Sequence, residues 1–173
     1  MLWSDRFRVA LALFGVVGLS GCFTPLYSEA AHPGINEAMK EVEVPQIDGR
    51  LGHYLVDDLI TDMNGTGATP KAKYRLAIKT SQSSNTPTVA SQLGLATSVT
   101  LIENADITLT KIEGGEVIFH GTAQSAAPYD SSLDSYANLR AARDAELRLA
   151  RSLALEIETR VGAALAAKFS PAG

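Results

Sequence analysis

The chain has 173 residues, 46% hydrophobic and 20% charged, which is a globular composition and excludes a disordered tail. Its 15 basic and 19 acidic residues give a net charge of −4, which disfavours general nucleic-acid binding because neutralising phosphates requires a basic surface. A single cysteine, Cys22, excludes an intrachain disulfide and a multi-cysteine zinc site.

Residues 1–21 have the layout of a bacterial export signal. Arg6 and Arg8 precede an apolar run of 11 residues, whereas a membrane-spanning helix needs about 20. The run ends in a tetrapeptide that resembles a lipobox: Leu19, Ser20, Gly21 and Cys22. Small residues before the cysteine give a peptidase access to the bond, and the thiol first receives a diacylglycerol. An ordinary signal peptide with a chance cysteine is the alternative.

Cys22 is the predicted site of lipidation and the first residue of the mature protein. Its covalent diacylglycerol and N-acyl chain are the only attached groups expected, with no cofactor and no metal. Two or more acyl chains hold a protein stably on a membrane. Because Phe23 and not Asp follows the cysteine, resemblance to the bacterial lipoprotein sorting rule implies the outer membrane, facing the periplasm. Removing residues 1–21 leaves 13 basic and 18 acidic residues, a net charge of −5.

The mature chain begins with a predicted extended tether, residues 22–36, which contains Pro25, Pro33 and Gly34. A single domain follows over residues 37–169, and residues 170–173 form a tail. Alternation over residues 41–44 predicts a short strand. Asp48 is then placed to cap a helix whose apolar residues recur every four positions: Leu51, Leu55, Leu59 and Met63.

Three further strands are predicted before the last helix. Residues 73–79 alternate between an apolar and a mostly basic face, and a long polar connection covers residues 81–96. A long strand follows, in which Glu103 falls on the apolar side and suggests a bulge or a change of register. Gly114-Gly115 predicts a tight hairpin. The buried face of the fourth strand is predicted to contain Val117, Phe119 and Ala123.

Pro128 and residues 131–135 interrupt the pattern, and a helix is predicted over residues 136–168. Its apolar stripe is predicted to comprise Leu147, Ala150, Leu153, Ala154, Ile157, Val161 and Leu165. A helix of 33 residues spans about 50 Å, so one end is expected to protrude beyond a small sheet or to contact a partner. Two acid–base pairs four residues apart are expected on its surface: Asp144 with Arg148, and Glu156 with Arg160.

The order strand, helix, strand, strand, strand, helix predicts an α+β fold. We expect a four-stranded, mostly antiparallel sheet with two helices packed on one face. The other face would be open to water or to a partner, and it would be polar and of mixed charge. Its expected residues are Glu41, Glu43, Lys73, Arg75, Lys79, Asp106, Thr108, His120 and Thr122.

The sequence contains no catalytic motif that would indicate an enzyme. It has no Gly-x-Ser-x-Gly elbow, no phosphate-binding loop and no His-Glu-x-x-His. His32, His53 and His120 are too far apart in the sequence for metal-ligand spacing. The adjacent carboxylates Asp57 and Asp58 point about 100° apart on a helix, so they cannot share a proton, and a solvated surface is expected.

Lys73, Arg75 and Lys79, which we call the basic stripe, share one face of the second strand, together with Lys71 just before it. Such a row is suited to an anionic ligand such as phosphorylated lipid A. The alternative is a set of ordinary cross-strand charge pairs, for which Asp106 and Glu116 are the expected acidic partners.

Several segments resemble the LPS-assembly lipoprotein LptE family, in its alphaproteobacterial branch. They are the run 22–27 (Cys-Phe-Thr-Pro-Leu-Tyr), the helix after Gly49-Arg50-Leu51, and the C-terminal residues Tyr136–Leu139, Arg143–Ala145, Leu153-Ala154, Ile157 and Arg160. The resemblance implies a two-helix, four-stranded sandwich that plugs the β-barrel translocon LptD, assists barrel assembly and helps to insert lipopolysaccharide into the outer leaflet. It implies no reaction.

The chain departs from this family at one position. Studied members use basic side chains for lipopolysaccharide, one of them between the second and third strands, but here no Lys or Arg occurs between Lys79 and Lys111 and that position holds Gln92 or a neighbour. Binding of lipopolysaccharide is therefore expected to be local, through the basic stripe or through Arg140 and Arg143. The alternative is another periplasm-facing envelope lipoprotein, such as a pilotin or a peptidoglycan-synthase activator. A hydrolase built from scattered Ser, Asp and His residues is a third possibility.

Overall fold

The computed structural model describes residues 34–65, 71–86 and 98–169. Their elements, in chain order, are helix α1 (Ile35–Lys40), strand β1 (Val42–Glu43), helix α2 (Gly49–Asn64), strands β2 (Tyr74–Asn85), β3 (Ser98–Lys111) and β4 (Val117–Asp130), and helix α3 (Ser135–Phe169). The predicted α+β class and the order of its six main elements are confirmed. The short helix α1 is additional.

The strands form one mixed sheet in the order β1-β2-β3-β4. β1 is parallel to β2, and the other neighbours are antiparallel. The predicted hairpin joins β3 to β4, with Gly114 at φ 88° and Gly115 at φ 67°. Both angles lie in the left-handed region that glycine adopts without steric cost, so the turn depends on these two residues.

Helices α2 and α3 lie side by side and run in the same direction. Arg50, near the start of α2, is bonded to Glu146, and Asp62, near its end, lies close enough to Glu158 to influence its pKa. α3 packs across β3 and β4. One apolar core joins both helices to the sheet, with fully buried residues that include Leu59 of α2, Leu76 of β2 and Leu153 of α3.

The register of β3 corrects one prediction. Glu103 lies on the core face, only 2% exposed, in regular register with Gln82 of β2 and Ser125 of β4. The sheet irregularity instead lies between Leu109 and Thr110, beside the glycine hairpin. A bulge at Glu103 was therefore the wrong prediction: the strand keeps its alternation and buries a carboxyl group.

Two predicted core residues are on the surface. Val117 is 57% exposed because it lies at the end of β4, and Leu147 is 43% exposed. In this part of α3, the residues buried in the core are Ala145 and Leu149. The other predicted stripe residues of α3, Ala150, Leu153, Ala154, Ile157, Val161 and Leu165, are buried.

The strands are longer than their hydrophobic patterns indicate. β2 continues through polar residues to Asn85, and β4 continues through Pro128 to Asp130. Pro128 is compatible with a strand because β4 is at the edge of the sheet, where a missing N–H removes no obligatory ladder bond. The 14 residues of β4 span about 46 Å, so α3 does not protrude far beyond the sheet, contrary to the prediction. It does extend beyond the shorter helix α2.

Helix α1 begins at Ile35, within the segment assigned to the tether. Its buried residues Ile35, Ala38 and Met39 belong to the core, and its other residues form a shallow cleft with the end of α2 and with Glu158. The backbone N–H groups of Lys73 and Tyr74 donate to the carbonyl oxygen of Glu41. Residues 1–33, with the predicted signal and most of the tether, and residues 170–173 lie outside the described residues.

The domain therefore has two ends. The hairpin end contains the Gly114-Gly115 turn, α1 and the C-terminal part of α3, where Lys168 is bonded to Glu116 at 2.8 Å. The loop end contains the last residues of β2 and β4 and the start of α3. Both α2 and α3 cover the sheet toward the hairpin end. At the loop end Gln82 and Ser84 are exposed although they share a strand face with the buried Leu76.

Candidate functional site

The open face of the sheet is polar, as predicted, and its rows can be read from the strand register. One row places Lys79 of β2, Asp106 of β3 and Thr122 of β4 side by side. In the next, the Thr108 hydroxyl lies 3.2 Å from Nδ1 of His120. Thr108 and His120 therefore satisfy each other across the strands, and the polar rows of this face suit contact with water or a wet cavity.

A second such bond extends the polar face toward the loop end. Nε2 of Gln124 donates to Oδ1 of Asn104 at 2.6 Å. These two residues are direct register partners, and Ser81 of β2 pairs with Asn104 from the other side. Amide and hydroxyl groups thus continue the row pattern across three strands without adding charge.

Two cations of the basic stripe are paired with acids that flank or form β1. Nζ of Lys73 lies 2.7 Å from Glu41, and Nε of Arg75 lies 3.1 Å from Glu43. The hydrogen bond and the charge of Glu41 raise the pKa of Lys73. These exposed pairs contribute little to stability, but they reduce the positive charge available to a ligand.

The acids expected to pair with the basic stripe do not do so in the way predicted. Glu116 pairs with Lys168 of α3, which lowers the pKa of the Glu116 carboxyl. Asp106 is the register partner of Lys79, but no ion pair within 4 Å joins them among the described residues. Lys79 is therefore the member of the stripe with the fewest constraints.

Arg140 and Arg143, the other candidate lipopolysaccharide residues, are on α3 and thus on the opposite side of the sheet from the basic stripe. Both are exposed, and Nη2 of Arg143 donates to the hydroxyl of Tyr54 at 3.2 Å. The structure separates the five candidate cations into two sites. Cys22, the lipobox residues Leu19, Ser20 and Gly21, and Gln92 lie outside the described residues.

The outer surface of the helix layer has a shallow groove of about 640 Å³ between α2 and α3. Tyr54, Leu147 and Leu155 supply apolar surface there, and Asp58 and Arg151 supply charge. Burial raises the pKa of the Asp58 carboxyl, and Arg151 opposes that shift. Asp57 is exposed, as expected for a solvated helix surface, whereas Asp58 is partly buried.

Both predicted acid–base pairs on α3 are present. Arg148 lies 2.9 Å from Asp144, and Arg160 lies 2.7 Å from Glu156. Arg148 also donates to the carbonyl oxygen of Pro128 at 2.9 Å, which attaches α3 to the edge strand. These arginines are therefore engaged within the domain.

The two histidines within the described ranges, His53 and His120, are not brought together. His53 is on α2, beside the ring of Tyr54, and His120 is on the open face of the sheet, so the sheet separates them. In residues 34–65, 71–86 and 98–169, no group of three or more His, Cys, Asp or Glu side chains is arranged to hold a metal ion. Nor does any helix within these ranges combine the length and apolar character needed to cross a bilayer.

Sequence reasoning missed the buried carboxyl of Glu103. Burial raises its pKa, and a hydrogen bond with Thr80 opposes that shift. Its Oε2 atom has no hydrogen-bond partner among the described residues. The available signal is the position of Glu103 in an otherwise apolar alternation, from which a bulge or a change of register is predicted instead of a buried acid.

Comparisons with known proteins support the fold. No protein-family model matches the sequence, and no curated protein is significantly similar to it. A crystal structure described as a lipoprotein from Caulobacter crescentus CB15 is 25% identical, with a TM-score of 0.62, and the match covers 77% of this chain and 96% of that one. A minor lipoprotein from Acinetobacter baumannii is 15% identical, with a TM-score of 0.51, over 70% of this chain and 88% of that one.

Rare lipoprotein B from Shewanella oneidensis is also among the similar structures. It is 15% identical over 73% of this chain and 92% of that one, with a TM-score of 0.46, which is too low to support an argument. The two better matches cover nearly the whole of the proteins compared. The chain therefore has a fold that is found in solved bacterial lipoproteins.

Proposed function

We propose that this chain is an outer-membrane lipoprotein, acylated on Cys22, that plugs an LptD-like β-barrel and assists its assembly for lipopolysaccharide insertion. The observation that carries the proposal is the open face of the sheet, where Lys73 and Arg75 are paired with acids and polar side chains are hydrogen-bonded across the strands. The lumen of a transmembrane β-barrel is polar and wet, so such a face can lie against it while its remaining charges, Lys79 and Asp106, stay in contact with water. The fold shared with solved lipoproteins and the lipobox-like tetrapeptide support the membrane anchor.

The anchor is tested by metabolic labelling with radioactive palmitate. The wild-type chain should incorporate label and fractionate with the outer membrane, and Cys22→Ser should do neither. The partner is tested by co-purification of the tagged chain from detergent-solubilised outer membrane. A stoichiometric LptD-like barrel is expected, and the recovery of the chain as a free monomer would refute the proposal.

Contact with lipopolysaccharide is the finer part of the proposal, and the structure ranks the candidate cations. Lys79 has no ion pair among the described residues, whereas Lys73 and Arg75 each have a carboxylate partner. Lys73→Ser/Arg75→Ser/Lys79→Ser should weaken lipopolysaccharide retention in a pull-down, and Lys79→Ser alone should account for most of that loss. Arg160→Ser, in an exposed pair on α3, is the matched control. Unchanged retention in the triple variant would exclude the basic stripe.

The groove on the helix layer favours a second candidate, a periplasm-facing interaction module of the pilotin or synthase-activator kind. Leu155 is 53% exposed there, beside the half-exposed Leu147, and exposed apolar side chains in a shallow groove are typical of protein-binding surfaces. In this case a soluble periplasmic protein, and no barrel, would co-purify with the chain. We propose no reaction for either candidate.

A further inference from the structure

The start of α3 exposes three large apolar side chains at one corner of the domain. Leu133 is 82% exposed, Tyr136 70% and Leu139 62%, the three highest values among the exposed large apolar residues. Helical spacing places Tyr136 and Leu139 on one face of α3 together with Arg140 and Arg143. We call these five residues the corner patch.

The corner patch has a rigid support. Oδ1 of Asp134 accepts hydrogen bonds from the backbone N–H groups of Tyr136 and Ala137, at 2.8 and 3.2 Å, and so caps α3. Oδ1 of Asn138 accepts from the backbone N–H of Ser132, and its Nδ2 donates to the Ser132 carbonyl, both at 2.7 Å. The turn between β4 and α3 is therefore held from both sides, and the backbone that carries the apolar side chains is fixed before any partner arrives.

These apolar side chains contribute little to the stability of the domain. Leu133 occupies the position before a helix cap, where an apolar residue usually packs against another one turn into the helix. That second position is Asn138, which is used for the polar clamp, so Leu133 is left in solvent. Within the described part of the chain, most of the apolar surface of Leu133, Tyr136 and Leu139 is left uncovered by other side chains.

The uncovered surface continues an interface that the fold already uses. Farther along α3, Ala150, Ala154 and Val161 on the corresponding face are fully buried in the core shared with α2. α2 begins at Gly49, opposite Glu146, so the first 11 residues of α3 extend beyond it. A partner segment at the corner patch would lie where α2 would continue if it were longer.

The charges of the corner patch specify the chemistry of that segment. Arg140 has no ion pair among the described residues, and Arg143 donates only to the neutral Tyr54 hydroxyl. Two nearby acids are engaged, Asp134 in the helix cap and Asp144 with Arg148, whereas Asp130 of β4, which lines a cavity with Ala141, has no ion pair among the described residues. Arginine and tyrosine are enriched among the residues that dominate protein–protein binding energies, and carboxylates are the complementary groups for two guanidinium groups that have no ion pair.

The position of the tether favours a protein over the membrane surface. The chain enters the domain at α1, beside Glu158, and the 23 residues of α3 from Tyr136 to Glu158 span about 33 Å. The corner patch is therefore at the opposite end of the domain from the point where the predicted tether joins it. The corner patch is thus not the part of the described domain nearest to the entry of the chain, which favours a protein as its occupant over the membrane surface.

We propose that the corner patch is a docking surface for a segment of the partner barrel that combines apolar and carboxylate side chains. The proposal rests on the function proposed above and adds to it the surface and the chemistry of the contact. Leu133, Tyr136 and Leu139 supply the apolar anchors, and Arg140 and Arg143 fix the orientation of the segment through charge-assisted hydrogen bonds.

The test is co-purification of the full-length, acylated chain with the co-expressed barrel. Tyr136→Ser/Leu139→Ser and Arg140→Glu/Arg143→Glu should each reduce the recovered barrel at least tenfold. Ile112→Ser/Val117→Ser is the matched control, since it removes two exposed apolar side chains at the hairpin end, and it should retain the barrel. All six of these side chains are exposed, so the substitutions should not unfold the domain. Circular dichroism with thermal melts verifies that each variant is folded.

The outcomes separate this inference from the proposed function. If the wild-type chain captures the barrel and both corner variants capture it equally well, the corner proposal is wrong and the proposed function stands. If the wild-type chain captures no barrel, both are wrong. If the corner variants retain the barrel but lose binding to lipopolysaccharide-containing vesicles, the patch binds a glycolipid, and the protein-docking proposal is overturned.

Discussion

The hairpin half and the loop half of this domain are built from one sheet and one long helix, but they differ in what covers the sheet. In the hairpin half, α2 and α3 enclose an apolar core that includes Leu55, Leu59 and Leu76. In the loop half α3 lies without α2, and the buried positions include Glu103, Ser125 and Ala127. The comparison teaches that stability is concentrated at the end where the chain enters. The other end retains polar and exposed groups that a partner can use.

The largest expected difference between the halves is the cost of removing a core leucine. Leu59 in the hairpin half is fully buried, and Leu59→Ala should lower the free energy of unfolding by about 2–5 kcal/mol. Leu101 in the loop half is 9% exposed, so Leu101→Ala should cost less. Urea denaturation measures both. Leu155→Ala, at a half-exposed position, is the control, and equal costs for Leu59 and Leu101 would contradict the comparison.

A second prediction concerns the start of α2, where the two halves meet. A Cβ atom at Gly52 would lie 2.7 Å from both Cγ2 and the carbonyl oxygen of Ile47. Gly52→Ala should therefore destabilise the domain by about 1–3 kcal/mol, the usual cost of overpacking, although alanine favours helices over glycine. Thermal unfolding measures the effect. Ser152→Ala on the exposed surface of α3 is the control, and a stabilised Gly52→Ala would show that α2 can shift freely.

A third prediction sharpens the comparison through pH. Because burial raises the folded-state pKa of Glu103, the unfolded chain ionises first, and stability falls as pH rises from the ordinary carboxyl pKa to the raised one. Glu103→Gln removes this loss. It should stabilise the domain by about 1–2 kcal/mol at pH 7, within the range for relieving an unsatisfied buried group, and by less at pH 4.

The measurement for Glu103 is urea denaturation at pH 4 and pH 7. Asp57→Asn, at an exposed carboxylate of α2, should leave the pH dependence almost unchanged and serves as the control. A gain from Glu103→Gln that is the same at both pH values would mean that shape, and not ionisation, explains the effect. A loss at pH 7 would show that the ionised carboxylate has a stabilising role in the folded chain.

The smallest expected effect compares the starts of the two long helices. Asp134 caps α3 through its side chain, and Asp134→Ala should cost about 1 kcal/mol. Asp48 occupies the same position before α2 but makes no side-chain cap bond, so Asp48→Ala should be nearly neutral. Thermal unfolding of the two variants decides the point. If Asp48→Ala destabilised the domain more than Asp134→Ala, Asp48 and not Asp134 would be the side chain that caps its helix.

Much of the fold could be predicted from residue periodicity, because a buried stripe or face imposes a regular spacing on the sequence. The long final helix and the open polar face follow from periodicity, whereas the hairpin follows from the Gly114-Gly115 pair. The extended β2 and the second half of β4 were not predicted, since polar residues such as Ser83 and Ser84 and an edge proline have no hydrophobic alternation to indicate a strand. Helix α1 was missed because six residues give too short a pattern.

The candidate sites were only partly predictable. The three cations of the basic stripe do share one face, as alternation requires, yet two of them are paired with acids at β1 that adjoin them only through the parallel β1–β2 contact. Arg140 and Arg143 were singled out by charge alone. Their place beside Leu133, Tyr136 and Leu139 depends on the helix cap and on where α2 begins, and neither can be read from spacing.

The sequence by itself determined the α+β class and the main elements, and it predicts lipid attachment at Cys22, because each of these depends on neighbouring residues in the chain. Only the tertiary structure decided which side chains meet: the burial of Glu103, the division of the cations between two sides of the sheet, and the part of α3 that remains uncovered. These depend on pairing between residues far apart in sequence, and a local pattern contains no information about the partner that a distant segment supplies.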